Sequence, residues 1–158
     1  DIEPPKRKRR LTSWGKREES YPNESRLIGV FDGHANFGEV VSQYVVSELP
    51  KLLASKLKGL QGTVEEISQA LTETFIELDE TAPAEESGGC TASVVLQHGP
   101  KVYFANAGDS RSFLVVYRGK TATVEIIYVT REDKPDLEDE RERVESRGGQ
   151  VYLPLRGT

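Results

Sequence analysis

Four short apolar runs follow one another between residues 91 and 129, and only a few residues separate each run from the next. The runs are rich in β-branched and aromatic residues, a composition that predicts β-strands. Connections this short can join only antiparallel neighbours, because a parallel pair needs a crossover of a dozen or more residues. The sequence therefore predicts an antiparallel meander. Its strands cover residues 91–97, 102–107, 111–117 and 123–129.

Helical periodicity appears on both sides of this predicted meander. Apolar residues at i, i+3 and i+4 spacing predict a helix over 39–57, which Pro50 should kink or restart. The clearest helical pattern covers 63–81 and opens on a possible capping box. A charged helix is predicted over 136–147, and a short strand at 150–153 follows it.

The order of these elements predicts the fold class. An apolar run at Leu27–Phe31 reads as a buried strand ahead of the first two helices. Because the helices are grouped apart from strands that short turns connect, the expected class is α+β with antiparallel sheets, rather than a parallel Rossmann sheet. At 158 residues, the chain fits one domain with a real core.

Charge and composition exclude several classes of function. The net charge of −5 falls to −10 without the five basic residues Lys6–Arg10, so the body is acidic and a broad nucleic-acid surface is not expected. No apolar run approaches the ~20 residues that span a bilayer, and no signal peptide is visible. A single cysteine, Cys90, excludes an internal disulfide and favours a reducing compartment. We therefore expect a cytoplasmic or nuclear protein without membrane partners.

The first 25 residues show no clear period and are broken by proline and glycine, so they are interpreted as a basic, partly flexible segment. The run Lys6–Arg10 could be a nuclear-localisation or docking signal, or simply a solvated tail. Both readings stay open from the sequence.

Three turns carry most of the polar groups that could do chemistry. They are Asp32-Gly33-His34, the loop Gly88–Ala92 and the turn Asn106–Arg111. An acid and an imidazole at the end of an apolar strand cost free energy unless they are exposed or have partners, so the first turn suggests a site. Each turn alone is weak evidence, because Asp-Gly is a common turn dipeptide and an aspartate can cap its own turn.

Four ordered blocks together resemble the PP2C type of metal-dependent protein phosphatase. They read FDGHANFGE, SGGCTASVVL, VYFANAGDSRSFL and TREDKPDLEDERERVESRGGQV, over Ile28–Val151. The resemblance implies a layered α-β-β-α sandwich, with residues 26–158 forming the N-terminal part of the phosphatase domain. It also implies hydrolysis of phosphoserine and phosphothreonine in protein substrates by a water that two or more Mn²⁺ or Mg²⁺ ions activate.

The resemblance assigns roles to five residues. Asp32 matches the bridging metal carboxylate, Gly33 the position whose backbone carbonyl reaches a metal, and Asp109 a carboxylate at a weaker metal position. Such hard cations prefer oxygen ligands and retain several waters. His34 matches the residue that protonates the leaving alkoxide, for which an imidazole has a suitable pKa. Arg17 matches the phosphate-binding arginine, for which a planar guanidinium is suited.

Some residues depart from the family pattern. Ser20-Tyr21-Pro22 stands where an acidic pair is expected, and Glu132-Asp133 replaces an Asp-His pair. The family continues with strands and two later aspartates that these 158 residues do not contain, so these residues are expected to supply only part of the metal site. Two hypotheses follow: part of an active serine/threonine phosphatase, or a phosphatase-like binding or regulatory module that has lost its metal site.

Other reactive side chains are interpreted as structural. Cys90 is expected to pack in a strand, and Ser110 lacks an evident base, which disfavours a serine nucleophile. His98 lies in a His-Gly-Pro turn, and Arg111 is expected to support the Asp109 turn.

Overall fold

The computed structural model describes residues 25–83, 88–119 and 123–152. Several positions singled out from the sequence lie outside these ranges: Lys6–Arg10, Arg17 and Ser20–Pro22. The described elements, in chain order, are β1 (Ser25–Val30), β2 (Gly33–Ala35), α1 (Gly38–Leu57), α2 (Val64–Thr81), β3 (Gly88–Cys90), β4 (Ala92–His98), β5 (Lys101–Ala107), β6 (Phe113–Arg118), β7 (Thr123–Val129) and α3 (Glu138–Ser146). The predicted α+β class with antiparallel sheets is confirmed.

The central sheet has the strand order β1-β4-β5, and both of its pairings are antiparallel. Val30 at the end of β1 lies opposite Ser93, and Ala92 at the start of β4 lies opposite Ala107. The end of β1, the start of β4 and the end of β5 therefore meet at one edge of this sheet, meaning the edge that the ends of its strands form. Two smaller antiparallel pairs, β2-β3 and β6-β7, complete the described strands.

The predicted four-stranded meander was wrong in one pairing. β4 pairs with β5 and β6 with β7, but within the described residues β5 and β6 belong to separate sheets. After β5 the backbone turns at Gly108, whose φ is +91°. Two hydrogen bonds between Ser112 and Thr130 connect β6 and β7 at the end nearest this turn. The Ser112 N–H donates to the Thr130 hydroxyl at 2.9 Å, and the Thr130 N–H donates to the Ser112 carbonyl at 3.0 Å. The connection is thus a structured loop rather than a hairpin turn.

Helices α1 and α2 supply most of the core on one face of the central sheet. Two buried clusters carry this packing, one around Leu49 and Val94 and the other around Ile67 and Leu96. α2 begins with the predicted capping box, in which the Thr63 hydroxyl accepts from the Glu66 N–H at 3.2 Å. α1 runs unbroken through Pro50, so the predicted restart does not occur.

Pro50 is tolerated because its neighbours hold the helix from its buried side. Leu49 and Leu53 are almost fully buried, whereas Pro50 itself is exposed. A proline inside a helix removes one hydrogen bond and costs about 3 kcal/mol. Burial of two leucine side chains is worth about the same or more, which accounts for a single helix here.

Two further expectations are corrected. β1 forms as predicted but is not buried, since Ile28 and Val30 are 69% and 64% exposed. Alternate side chains of a strand point to opposite faces, so Leu27 and Phe31 reach the helical layer while these two do not. Residues 150–152 form no strand, and the remainder of that predicted strand lies outside the described residues.

Among the helices of the described ranges, none combines the length and apolar character that crossing a membrane requires.

Candidate active site

Asp32 lies two residues after the end of β1, where antiparallel hydrogen bonding continues beyond β1 and β4 as far as Asp32 and Thr91. The Thr91 N–H donates to the Asp32 carbonyl at 2.9 Å, and the Asp32 N–H donates to the Thr91 hydroxyl at 3.3 Å. The backbone of Asp32 is therefore fixed at both polar groups. Its side chain is free for other contacts, since the residue is exposed and no side-chain hydrogen bond or ion pair involves it within the described ranges.

The same threonine joins the Asp32 end to the Asp109 turn. The Thr91 hydroxyl forms a 2.8 Å hydrogen bond with the Ser110 hydroxyl. A Cβ placed on Gly108 would lie 2.9 Å from Cγ2 of Thr91, so only glycine allows this approach, and its φ of +91° disfavours other residues as well. The structure thus brings the turns that carry Asp32 and Asp109 to the same sheet edge.

A second connection attaches the stretch before α3 to the Asp109 turn. The Asp133 N–H donates to the Gly108 carbonyl at 3.1 Å, and the Asn106 side-chain amide donates to the Gly108 and Arg131 carbonyls at 3.2 Å and 3.3 Å. No role for Asn106 or Thr91 is predicted from the sequence. Both lie in blocks that carried the resemblance, but their function as connectors depends on strand register, which the sequence alone did not show.

His34 is positioned by a close packing of backbone against backbone. It lies in β2, opposite Gly89 of β3, and a Cβ on Gly89 would be 2.7 Å from the imidazole Cε1. A Cβ on Gly33 would lie 2.3 Å from the Gly38 carbonyl oxygen at the start of α1. The bare backbones of these glycines therefore allow His34 to lie beside the N-terminus of α1.

His34 also lines a cavity of about 530 Å³ between α1, α2, β3 and α3. Apolar side chains of α1 and α2 form part of its walls, and Asp79 and Arg143 are its charged members. Asp32 and Asp109 do not line it. The imidazole, which is exposed, makes no hydrogen bond within the described residues. It is therefore accessible to a group that enters from solvent.

Charged side chains surround the Asp109 turn. Lys134 forms an ion pair with Glu132 at 2.7 Å, and Glu132 lies 3.8 Å from the Arg111 guanidinium. The hydrogen bond to Glu132 raises the pKa of Lys134, and the field of Asp109 adds to that rise. In the opposite direction, Lys134 lowers the pKa of Glu132. Arg111 supports the loop, as expected, through Glu132 and through its guanidinium 5.5 Å from the centre of the Phe113 ring.

Two nucleophile candidates are excluded by their surroundings. Burial raises the pKa of the Cys90 thiol in β3, which disfavours the reactive thiolate. The Ser110 hydroxyl bonds to Thr91, and no histidine or carboxylate contacts it in the described residues.

The groups at this edge can be compared with the ligands that a divalent cation prefers. No group of three or more His, Cys, Asp or Glu side chains that could hold a metal forms within the described ranges. Mg²⁺, however, is usually held by only one or two carboxylates, with waters completing its shell. The carboxylates of Asp32 and Asp109 and the carbonyl of Gly33 are oxygen donors of the type that such an ion prefers.

The comparison with known families decides what this arrangement belongs to. The profile of the family described as "Protein phosphatase 2C" matches residues 8–157, nearly the whole chain. The chain belongs to the protein phosphatase 2C family. The resemblance of the four sequence blocks is therefore confirmed at the level of the family.

Individual PP2C relatives agree. The chain is 38% identical over 125 residues to "Probable protein phosphatase 2C 45" of Oryza sativa subsp. japonica, covering 79% of this chain and 42% of that protein. It is 35% identical over 141 residues to "Probable protein phosphatase 2C 3" of Paramecium tetraurelia, covering 79% and 43%. The chain thus spans less than half the length of these relatives.

A solved PP2C structure was also matched. The serine-threonine phosphatase 2C from Toxoplasma gondii aligns with a TM-score of 0.41 at 20% identity, over 78% of this chain and 45% of that one.

Proposed function

We propose that this chain is part of a metal-dependent protein serine/threonine phosphatase that hydrolyses phosphoserine and phosphothreonine in protein substrates. The observation that supports the proposal best is the shared sheet edge, where Thr91 connects the Asp32 and Asp109 turns. Membership of the PP2C family agrees with it.

In this proposal the carboxylates of Asp32 and Asp109 and the carbonyl of Gly33 contribute oxygen ligands to two or more Mn²⁺ or Mg²⁺ ions. Bound ions of this kind acidify a water and neutralise charge on the phosphoryl group. Asp109 serves a weaker metal position. Further ligands have to come from groups other than those described.

The chain's own groups would do the remaining work. His34, exposed and without a hydrogen-bond partner among the described residues, would give a proton to the oxygen of the leaving serine or threonine. Arg17, which lies outside the described residues, would hold the phosphoryl oxygens through its guanidinium. The single cysteine and the basic run Lys6–Arg10 favour the cytoplasm or nucleus as the place of action.

The decisive variant is Asp32→Asn in the intact natural protein. It removes a charged oxygen ligand but keeps the size of the side chain and the backbone hydrogen bonds to Thr91. We expect Mn²⁺-dependent hydrolysis of an aryl phosphate to be lost while the circular dichroism spectrum stays unchanged. Asp136→Asn, an exposed aspartate before α3, is the matched control and should retain activity.

Unchanged turnover in Asp32→Asn would overturn the assignment of the site. If the natural protein shows neither hydrolysis nor Mn²⁺ binding by calorimetry, the alternative is favoured: a catalytically inactive phosphatase-like binding or regulatory module. The missing acidic pair at Ser20–Pro22 is the sequence feature that favours this alternative.

A further inference from the structure

The side-chain amide of Asn106, near the end of β5, uses its full set of donors. Its oxygen accepts a hydrogen bond from the Ser93 hydroxyl at 2.5 Å. Its NH₂ group donates to the Gly108 carbonyl at 3.2 Å and to the Arg131 carbonyl at 3.3 Å. Ser93 is buried and Asn106 is half-buried. Removing a half-buried amide that donates both of its protons costs free energy, because each carbonyl that it bonded loses a hydrogen-bond donor.

These bonds join three parts of the chain that are distant in sequence. Ser93 belongs to the central sheet, Gly108 begins the Asp109 turn, and Arg131 begins the stretch that leads to α3. The Gly108 carbonyl accepts a second bond, from the Asp133 N–H. The turn is therefore held from the strand side by Asn106 and from the α3 side by Asp133.

We propose that Asn106 is a positioning residue for Asp109: its amide fixes the Asp109 turn between the central sheet and residues 131–134, and so sets the direction in which the carboxylate meets a divalent cation. This inference rests on the proposed function for its consequence, since it assumes that Asp109 is a metal ligand. The structural part of the inference, that Asn106 joins the Asp109 turn to residues 131–134, depends only on the hydrogen bonds.

The chain offers a closely matched control at the opposite end of the same hairpin. The Gln97 amide donates to the Gly99 carbonyl at 3.4 Å, two residues further along, and is also half-buried. Asn106 has the same relation to Gly108. Gln97→Ala therefore removes the same chemical group from an equivalent turn that carries no proposed ligand.

The first experiment measures amide hydrogen exchange in the metal-free natural protein. Asn106→Ala should raise exchange together in the segments 108–111 and 131–134, because both lose the same anchor. Gln97→Ala should leave both segments unchanged. Exchange that stays at the natural level in Asn106→Ala, or rises equally in Gln97→Ala, overturns the proposal.

The second experiment measures Mn²⁺ affinity by electron paramagnetic resonance and calorimetry in a double-mutant cycle. Groups that orient a metal ligand typically change affinity 10–100-fold when mutated, so Asn106→Ala should weaken the weaker Mn²⁺ step by about tenfold or more. If Asn106 acts through Asp109, adding Asn106→Ala to Asp109→Asn should weaken binding no further. Additive losses, or an unchanged weaker step in Asn106→Ala, contradict the proposal.

The two failures can be told apart. A natural protein that binds no Mn²⁺ contradicts the proposed function and with it the role of Asn106 in cation binding. The exchange experiment needs no metal and still decides whether Asn106 joins the two segments.

Discussion

At the scale of single residues, the site depends on glycines, which have no side chain, as much as on the residues that carry reactive groups. Gly33, Gly38, Gly88 and Gly89 allow β2, β3 and the start of α1 to approach within backbone contact. At each of the four, an added Cβ would meet another atom at 2.7 Å or less. His34 is held in place by this packing, so replacing a glycine here should disturb the site without removing any reactive group.

Gly33→Ala tests this dependence. Its Cβ would lie 2.3 Å from the Gly38 carbonyl oxygen and 2.5 Å from the Gly38 carbonyl carbon, and rigid backbone cannot move aside cheaply. Overpacking of this kind costs about 1–3 kcal/mol, occasionally more, and we expect the upper part of that range in urea unfolding. Gly119→Ala, whose Cβ would be 3.7 Å from its nearest neighbour, is the control and should change stability by less than about 0.5 kcal/mol. Equal stability of the two variants would show that the close approach is not constrained.

At the scale of elements, α3 is fixed by charge rather than by a buried face. None of its residues is buried. The Arg131 guanidinium donates two hydrogen bonds to the Asp139 carboxylate, at 2.6 Å and 2.8 Å, and lies 3.1 Å from Asp133. Asp139 is also in the first turn of α3, where the exposed N–H groups favour negative charge.

The placement of α3 should therefore depend on pH. The hydrogen bond from Arg131, then its charge and the nearby backbone N–H groups, hold the pKa of Asp139 below its usual range. A carboxyl whose pKa is lowered on folding stabilises the fold above its unfolded pKa, and this contribution is lost as the pH falls through the lowered value. Amide protection over 138–146, measured relative to the intrinsic exchange rate at each pH, should accordingly fall on acidification below the ordinary aspartate range.

Two variants check this dependence. In Asp139→Asn the exchange of α3 should already be raised at neutral pH, and the acid-dependent step should be absent. Glu142→Gln removes an exposed carboxylate that forms no ion pair among the described residues, and it should keep the step. An identical acid profile in all three proteins would show that Arg131 does not secure α3.

At the scale of the whole molecule, polar and apolar surface are unevenly distributed. The body is acidic, yet both faces of the β6-β7 pair expose large apolar side chains. Every residue of β7 is exposed, and Ile126 and Ile127 are 59% and 51% exposed. Contiguous apolar surface and free strand edges favour association between molecules.

The 158-residue chain alone should therefore self-associate through β6-β7. We expect sedimentation at micromolar concentrations to show oligomers, and the double variant Ile126→Lys with Ile127→Lys to shift the chain towards monomer. Val46→Lys replaces a single apolar residue on α1 that is 57% exposed and should leave association unchanged. The expectation would be contradicted if the unsubstituted 158-residue chain were monomeric, or if the two variants had equal effects on association.

Much of the secondary structure and the family could be predicted from local sequence. The period of apolar residues predicted α1, α2 and the four later strands, because burial imposes a repeat of 3.6 on helices and of 2 on strands. The Thr63 capping box was readable since its partners are three residues apart. The four ordered blocks identified the family, which the family profile confirmed over residues 8–157. The roles of Asp32, Gly33, His34, Arg17 and Asp109 stay predictions.

Features that depend on contacts between distant residues could be seen only in the folded chain. Local sequence did not predict that β5 and β6 belong to different sheets, that Pro50 stays within one helix, or that Ile28 and Val30 are exposed. It also could not show that Thr91 and Asn106 connect the turns of the candidate site. The cause is the same in each case. The local pattern of apolar residues indicates only the periodicity of burial, whereas hydrogen-bond partners 19 to 59 residues apart are brought together by strand register and packing.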